Sequence, residues 1–123
     1  MTKRLRRDGK RSTIMTKEGP KAVQEAIDFL KNQDRIMTRL KWSNRMCECS
    51  KYHAMDLGEK GIISHKSGKE NLGTKERLKE FGSIVGCYGE NMSVFCKTAR
   101  EVILQLLVDD GNQSRGNRTN IFK

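Results

Sequence analysis

Glu90, Asp109 and Asp110 are the residues best placed to do chemistry. Each carboxylate stands where an apolar stretch is interrupted. Glu90 lies in the loop Gly89-Glu90-Asn91, ahead of Met92-Ser93-Val94-Phe95. Asp109-Asp110-Gly111 closes the strongly apolar run that ends Leu106-Leu107-Val108, and a basic, polar run through Arg115 and Arg118 follows. Two aspartates at a helix C-terminus oppose the helix dipole, which favours cations there, at a cost of about 0.3–1 kcal/mol if unpaired. Either a nearby arginine, Arg115 or Arg118, or a bound cation must compensate. A local conflict of this kind is where function tends to sit.

Other reactive residues carry weaker signals. His53 falls on a helical face and reads as a helix-face residue. Cys47, Cys49 and His53 lack the spacing of a closed zinc site. Ser67 lies two residues from His65, too little to define an activated nucleophile. Cys47 and Cys49, two apart on a helix, point in different directions. Cys87 and Cys96 flank the Glu90 loop, so a bond between them and free, mostly buried thiols both stay open.

The elements that must hold these residues follow from periodicity. Pro20 suits a first helical turn, and Val23, Ile27 and Leu30 recur at helical spacing with Ala26 and Phe29 beside them. Ser43 is a plausible N-cap, with Trp42 stapling the start of its helix. Met46, Cys49 or Ser50, His53 and Leu57 mark one face, and Gly58 is a natural stop. Ile62 to Gly68 reads as a loop. Thr74 caps a short helix, KERLKEF, closed by Gly82 and apolar only at Leu78 and Phe81. Met92 to Phe95 is the best strand. Lys97 to Val108, capped near Thr98, is the strongest helix, with a stripe of Ala99, Val102, Ile103, Leu106 and Leu107.

Composition limits the whole. The 123 residues are 35% hydrophobic and 33% charged, so the core must be small or completed by something outside this chain. No apolar run approaches the ~20 residues that span a bilayer, and Met1 to Lys17 is polar and basic rather than leader-like. The net charge is +10. Lys3, Arg4, Arg6, Arg7, Lys10, Arg11 and Lys17 face a single Asp8 there, so residues 1–15 read as a disordered basic tail. Non-specific contact with nucleic acid or an anionic surface is the sharper reading of that tail. It carries no aromatic residue for base stacking.

Taken in order, His65 with Ser67-Gly68, then Gly89-Glu90-Asn91-Met92, then LLVDDGNQSRGNRTNIF resemble the CAP superfamily, the SCP domain of cysteine-rich secretory, antigen 5 and pathogenesis-related proteins, in its divergent microbial or protist branch. The likeness spans roughly Thr16 to Phe122. It implies an α+β fold for residues 16–123: an α-β-α sandwich, here mostly helical with a small, incomplete sheet. The family's Asn-Ile segment leads into further strands, whereas this chain stops at Lys123. A partial domain with open sheet edges, marginal stability or association is therefore expected.

The resemblance also implies a shallow cleft with two histidines and two acids, which binds a divalent cation such as zinc in some members. His65 matches the first histidine, Glu90 the first acid and Asp109 the second. Asn117 stands in Gly116-Asn117-Arg118-Thr119-Asn120-Ile121 where the second histidine belongs. An amide oxygen is a poor replacement for imidazole at zinc. His65, Glu90 and Asp109 are thus expected to hold at most a weak divalent cation, with no tightly bound cofactor.

Three functions follow. The first is a non-enzymatic binding or interaction module for a lipid, sterol or protein ligand. The second is a metal-dependent hydrolase with Glu90 as base and His65 as ligand. The third is nucleic-acid binding through the basic N-terminus. The resemblance implies secretion and the N-terminus does not, so the compartment stays open.

Overall fold

Pro20 opens the first helix of the computed structural model, which describes residues 2–5, 11–14, 16–34 and 38–122. Two compact units divide the chain, one formed by Met1–Met37 with Asn91–Lys123 and the other by Thr38–Glu90.

In the first unit, β1 (Thr2–Leu5) and β2 (Arg11–Ile14) pair antiparallel, with Thr2 opposite Ile14 and Leu5 opposite Arg11. The expected disorder of residues 1–15 concerns a segment of which 1, 6–10 and 15 lie outside the described residues. Helix α1 spans Pro20–Lys31, with the proline in its first turn as expected. Its buried face is narrow. Ala22 and Ala26 are buried, whereas Ile27 and Leu30, two of the expected core positions, are exposed. Helix α4 spans Ala99–Val108 and packs on α1. The Thr98 hydroxyl caps it by accepting from the Glu101 N–H at 3.2 Å. Helix α5, Gly116–Ile121, packs against α4.

The second unit holds α2 (Asn44–Lys60) and α3 (Thr74–Phe81), packed on each other. Ser43 caps α2 as expected, accepting from the Met46 N–H. The helix runs past Gly58 and stops at Gly61, whose φ of 62° supplies the left-handed residue that a helix C-terminus commonly needs. Cys49, His53, Asp56 and Leu57 form its buried face, while Trp42 stands exposed and staples nothing. Gly73, rather than Thr74, is the N-cap of α3.

The expected α+β sandwich is not what forms. From Thr16 to Phe122 every regular element among the described residues is a helix, and β1 and β2 pair only with each other. Two local causes explain the missing sheet. Phe95 has φ 61°, which breaks the extended run at Met92 to Phe95. The Gln105 carboxamide of α4 then satisfies that segment's backbone, accepting from the Val94 N–H at 3.2 Å and donating to the Val94 carbonyl at 3.2 Å. A side chain thus fills the role of a neighbouring strand. The Asn120-Ile121 segment, expected to lead into strands, ends α5 instead.

Candidate functional site

The second unit builds a polar cluster around Glu90. Arg77 lies on the inward face of α3 and is only 1% exposed. A guanidinium so deeply buried needs an anionic partner. It donates to both Glu90 oxygens, from Nη1 to Oε2 at 2.9 Å and from Nη2 to Oε1 at 2.8 Å. Its Nη2 also donates to the His65 carbonyl at 2.9 Å. Thr74, one turn earlier on α3, donates its hydroxyl to Glu90 Oε1 at 3.1 Å. His65 Nδ1 donates to the same oxygen at 2.8 Å, its side chain about half exposed. One carboxylate thus ties the His65 loop and the Glu90 loop to α3.

Behind this cluster, Asp56 of α2 anchors the adjoining loop. It accepts from the Gly68 N–H at 2.5 Å and pairs with Lys60 at 3.5 Å. Burial pushes its carboxyl up, but the Gly68 N–H and Lys60 outweigh this and hold it below the ordinary carboxylate range. Ser67 sits inside the same loop, its hydroxyl accepting from the Glu70 and Leu72 N–H groups. That hydroxyl therefore serves as a turn-former. Burial also pushes the Cys49 thiol up, against the opposing pull of Arg77. A thiol so held stays protonated and unreactive. All four cysteines are free.

The acidic turn of the first unit is resolved without a cation. Asp109 adopts φ 51° at the C-cap of α4 and is 5% exposed. Its Oδ2 accepts from the Asn117 N–H at 2.9 Å and its Oδ1 from the Asn117 side-chain amide at 2.8 Å. Asn112 adds a third donor at 3.1 Å. Asp110 accepts from the N–H groups of Lys17 and Glu18 at 2.7 and 3.0 Å, clasping the start of α1.

The arginines take the place that the dipole reserves for cations. Arg118 donates to the Leu107 and Val108 carbonyls at the end of α4, and Arg115 to the Asp109 carbonyl. Both then pair with acids of the α1 region. Arg115 meets Glu18 at 2.7 Å and Glu25 at 2.8 Å, and Arg118 meets Glu25 at 2.9 Å. Hydrogen bonds from Arg115 hold the Glu18 carboxyl at about 2, and those from Arg115 and then Arg118 hold Glu25 at about 2. Arg118 also lies 5.3 Å over the Phe29 ring.

His65 and Glu90 meet in the second unit, and Asp109 and Asn117 meet in the first. No group of three or more His, Cys, Asp or Glu among the described residues is arranged to hold a metal ion. The donor sets do not fit zinc as they stand: Arg77 already occupies both oxygens of Glu90, and amide donors occupy both oxygens of Asp109. Sequence reasoning missed Arg77, because KERLKEF looks solvated apart from Leu78 and Phe81. It also missed Gln105. No helix among the described residues is long and apolar enough to cross a membrane. No family model, curated protein or solved structure matches the chain.

Proposed function

We propose that the chain is a non-enzymatic binding or interaction module, related to the CAP superfamily that it resembles. The observation that carries this reading is the engagement of Glu90. A general base must keep a lone pair within reach of the proton it removes. Both Glu90 oxygens instead accept from Arg77, with His65 and Thr74 adding to one of them. The carboxylate supports loops and has no vacant position for substrate. The resemblance favours a lipid, sterol or protein ligand, and the surface adds large exposed apolar side chains at Leu40, Trp42, Val85 and Phe95.

A second reading, divalent-metal-dependent hydrolysis, rests on one observation. His65 is oriented through Nδ1 by a carboxylate, as metal-ligating histidines commonly are. It needs Glu90 as base, which the Arg77 pair opposes.

Two assays decide between them. Sterol-containing and sterol-free vesicles are compared for retention of the protein, and model ester hydrolysis is followed with added zinc. Retention without turnover is expected. Zinc-dependent turnover that disappears in Glu90→Gln would replace the first reading with the second.

A further inference from the structure

Leu40 and Trp42 are 97% and 83% exposed, the most solvent-exposed apolar side chains of the second unit together with Val85. They alternate with cations in the segment Arg39-Leu40-Lys41-Trp42, and Arg45 follows within the first turn of α2. No carboxylate stands between Asp34 and Glu48. The indole Nε1 donates to Asn44 Oδ1 at 3.1 Å, which ties the polar edge of the ring to the start of α2. Met46, in the first turn of α2, is 45% exposed.

The charge around this patch selects its occupant. A second copy of the chain would bring Arg39, Lys41 and Arg45 against themselves, and like charges brought together at an interface are costly. Single-stranded nucleic acid stacks on aromatic rings, but Leu40, the most exposed of these side chains, has no π face to offer. An anionic lipid surface suits both halves of the pattern. Tryptophan and leucine enter the headgroup boundary, and the flanking cations stay at the level of the phosphates.

We propose that Arg39-Leu40-Lys41-Trp42 is a membrane-surface contact, with Leu40 and Trp42 entering the interface of an anionic bilayer and Arg39, Lys41 and Arg45 pairing with its headgroups. The proposal rests on the reading of the chain as an interaction module and names its partner.

Trp42 is the chain's one tryptophan, so its fluorescence reports on this patch alone. The full chain is titrated with vesicles of phosphatidylcholine alone and of equal parts phosphatidylserine and phosphatidylcholine, at low and high salt. The expected result is a shift of Trp42 emission to shorter wavelength, with quenching by brominated lipid, on the phosphatidylserine vesicles only, reversed by salt. Arg39→Gln with Lys41→Gln should weaken binding roughly 30-fold. Leu40→Ser should weaken it at least about tenfold without changing far-ultraviolet circular dichroism. A control pair in the basic tail, Arg4→Gln with Arg6→Gln, should leave the wavelength shift in place.

Four results would overturn the proposal. Vesicle binding that leaves Trp42 emission unshifted would place the contact elsewhere. Emission already shifted and concentration-dependent without lipid would assign the patch to self-association. Quenching by single-stranded DNA in preference to vesicles would assign it to stacking. Binding to neutral, sterol-containing vesicles through other residues would sink this proposal and leave the interaction-module reading standing.

Discussion

Arg77 and Glu90, 13 residues apart, form a two-pronged ion pair at 2.8 and 2.9 Å with the guanidinium 1% exposed. The pair joins α3 to the loop that carries Glu90, and His65 hangs from its outer side. Breaking it by removing the arginine leaves a half-buried carboxylate without its counter-charge. Arg77→Met is expected to cost about 3–5 kcal/mol, read from urea unfolding. Glu90→Gln keeps an acceptor but leaves the buried guanidinium without an anion, so it should cost a similar amount. A loss below about 1 kcal/mol in either variant would mean that the pair is not what holds the loop.

Arg118 does for the first unit what Arg77 does for the second. It is 3% exposed, caps two α4 carbonyls and pairs with Glu25. Arg118→Lys keeps the charge but cannot reproduce the planar fork. A loss of about 2–3 kcal/mol is expected, since the unmet α4 carbonyls cost about 1–3 kcal/mol when buried. A lysine variant as stable as the parent would show that charge alone suffices.

Asp109 carries a left-handed backbone and three accepted hydrogen bonds together. Glycine relieves the first and loses the second, whereas alanine forfeits both. Asp109→Ala should therefore be less stable than Asp109→Gly by about 1 kcal/mol, with both below the parent. Thermal unfolding of the three proteins reads the order directly.

The sign of the pH dependence follows from Glu18 and Glu25. Both fold with carboxyls at about 2, below the ordinary value of 4.5. A depressed carboxyl adds stability that is fully present above 4.5 and is lost as pH falls through about 2. Unfolding at fixed urea should show stability flat above pH 5 and declining towards pH 2. Arg115→Gln, which removes the first cause of both shifts, should flatten that decline. A stability rising as pH falls below 4.5 would contradict the assignment.

Much of the helical framework was legible in the sequence, and the sheet and the ion pairs were not. Pro20, Ser43 and Thr98 mark helix starts through local chemistry, and each does so in the structure. Met92 to Phe95 has strand composition, but strand propensity measures fit to neighbours on a sheet. Here the neighbour is the Gln105 side chain, and Phe95 turns left-handed. The conflict at Asp109-Asp110 was visible, and arginine was rightly among the candidates for its relief. The relief works differently from a salt-bridged turn: the arginines cap α4 carbonyls and reach back to Glu18 and Glu25, 90 or more residues away. Arg77 gave no local signal, because its partner Glu90 lies outside its own helix.

Glu90 is proposed to serve as a structural acceptor for Arg77 rather than as a catalytic base or metal ligand. Calorimetric titration of the full chain with zinc at neutral pH tests it most directly, with His65→Ala and Glu90→Gln alongside. Binding no tighter than about micromolar, near −8 kcal/mol, is expected, little changed in either variant. Tighter binding that both substitutions abolish would show that His65 and Glu90 form a metal site, and would contradict it.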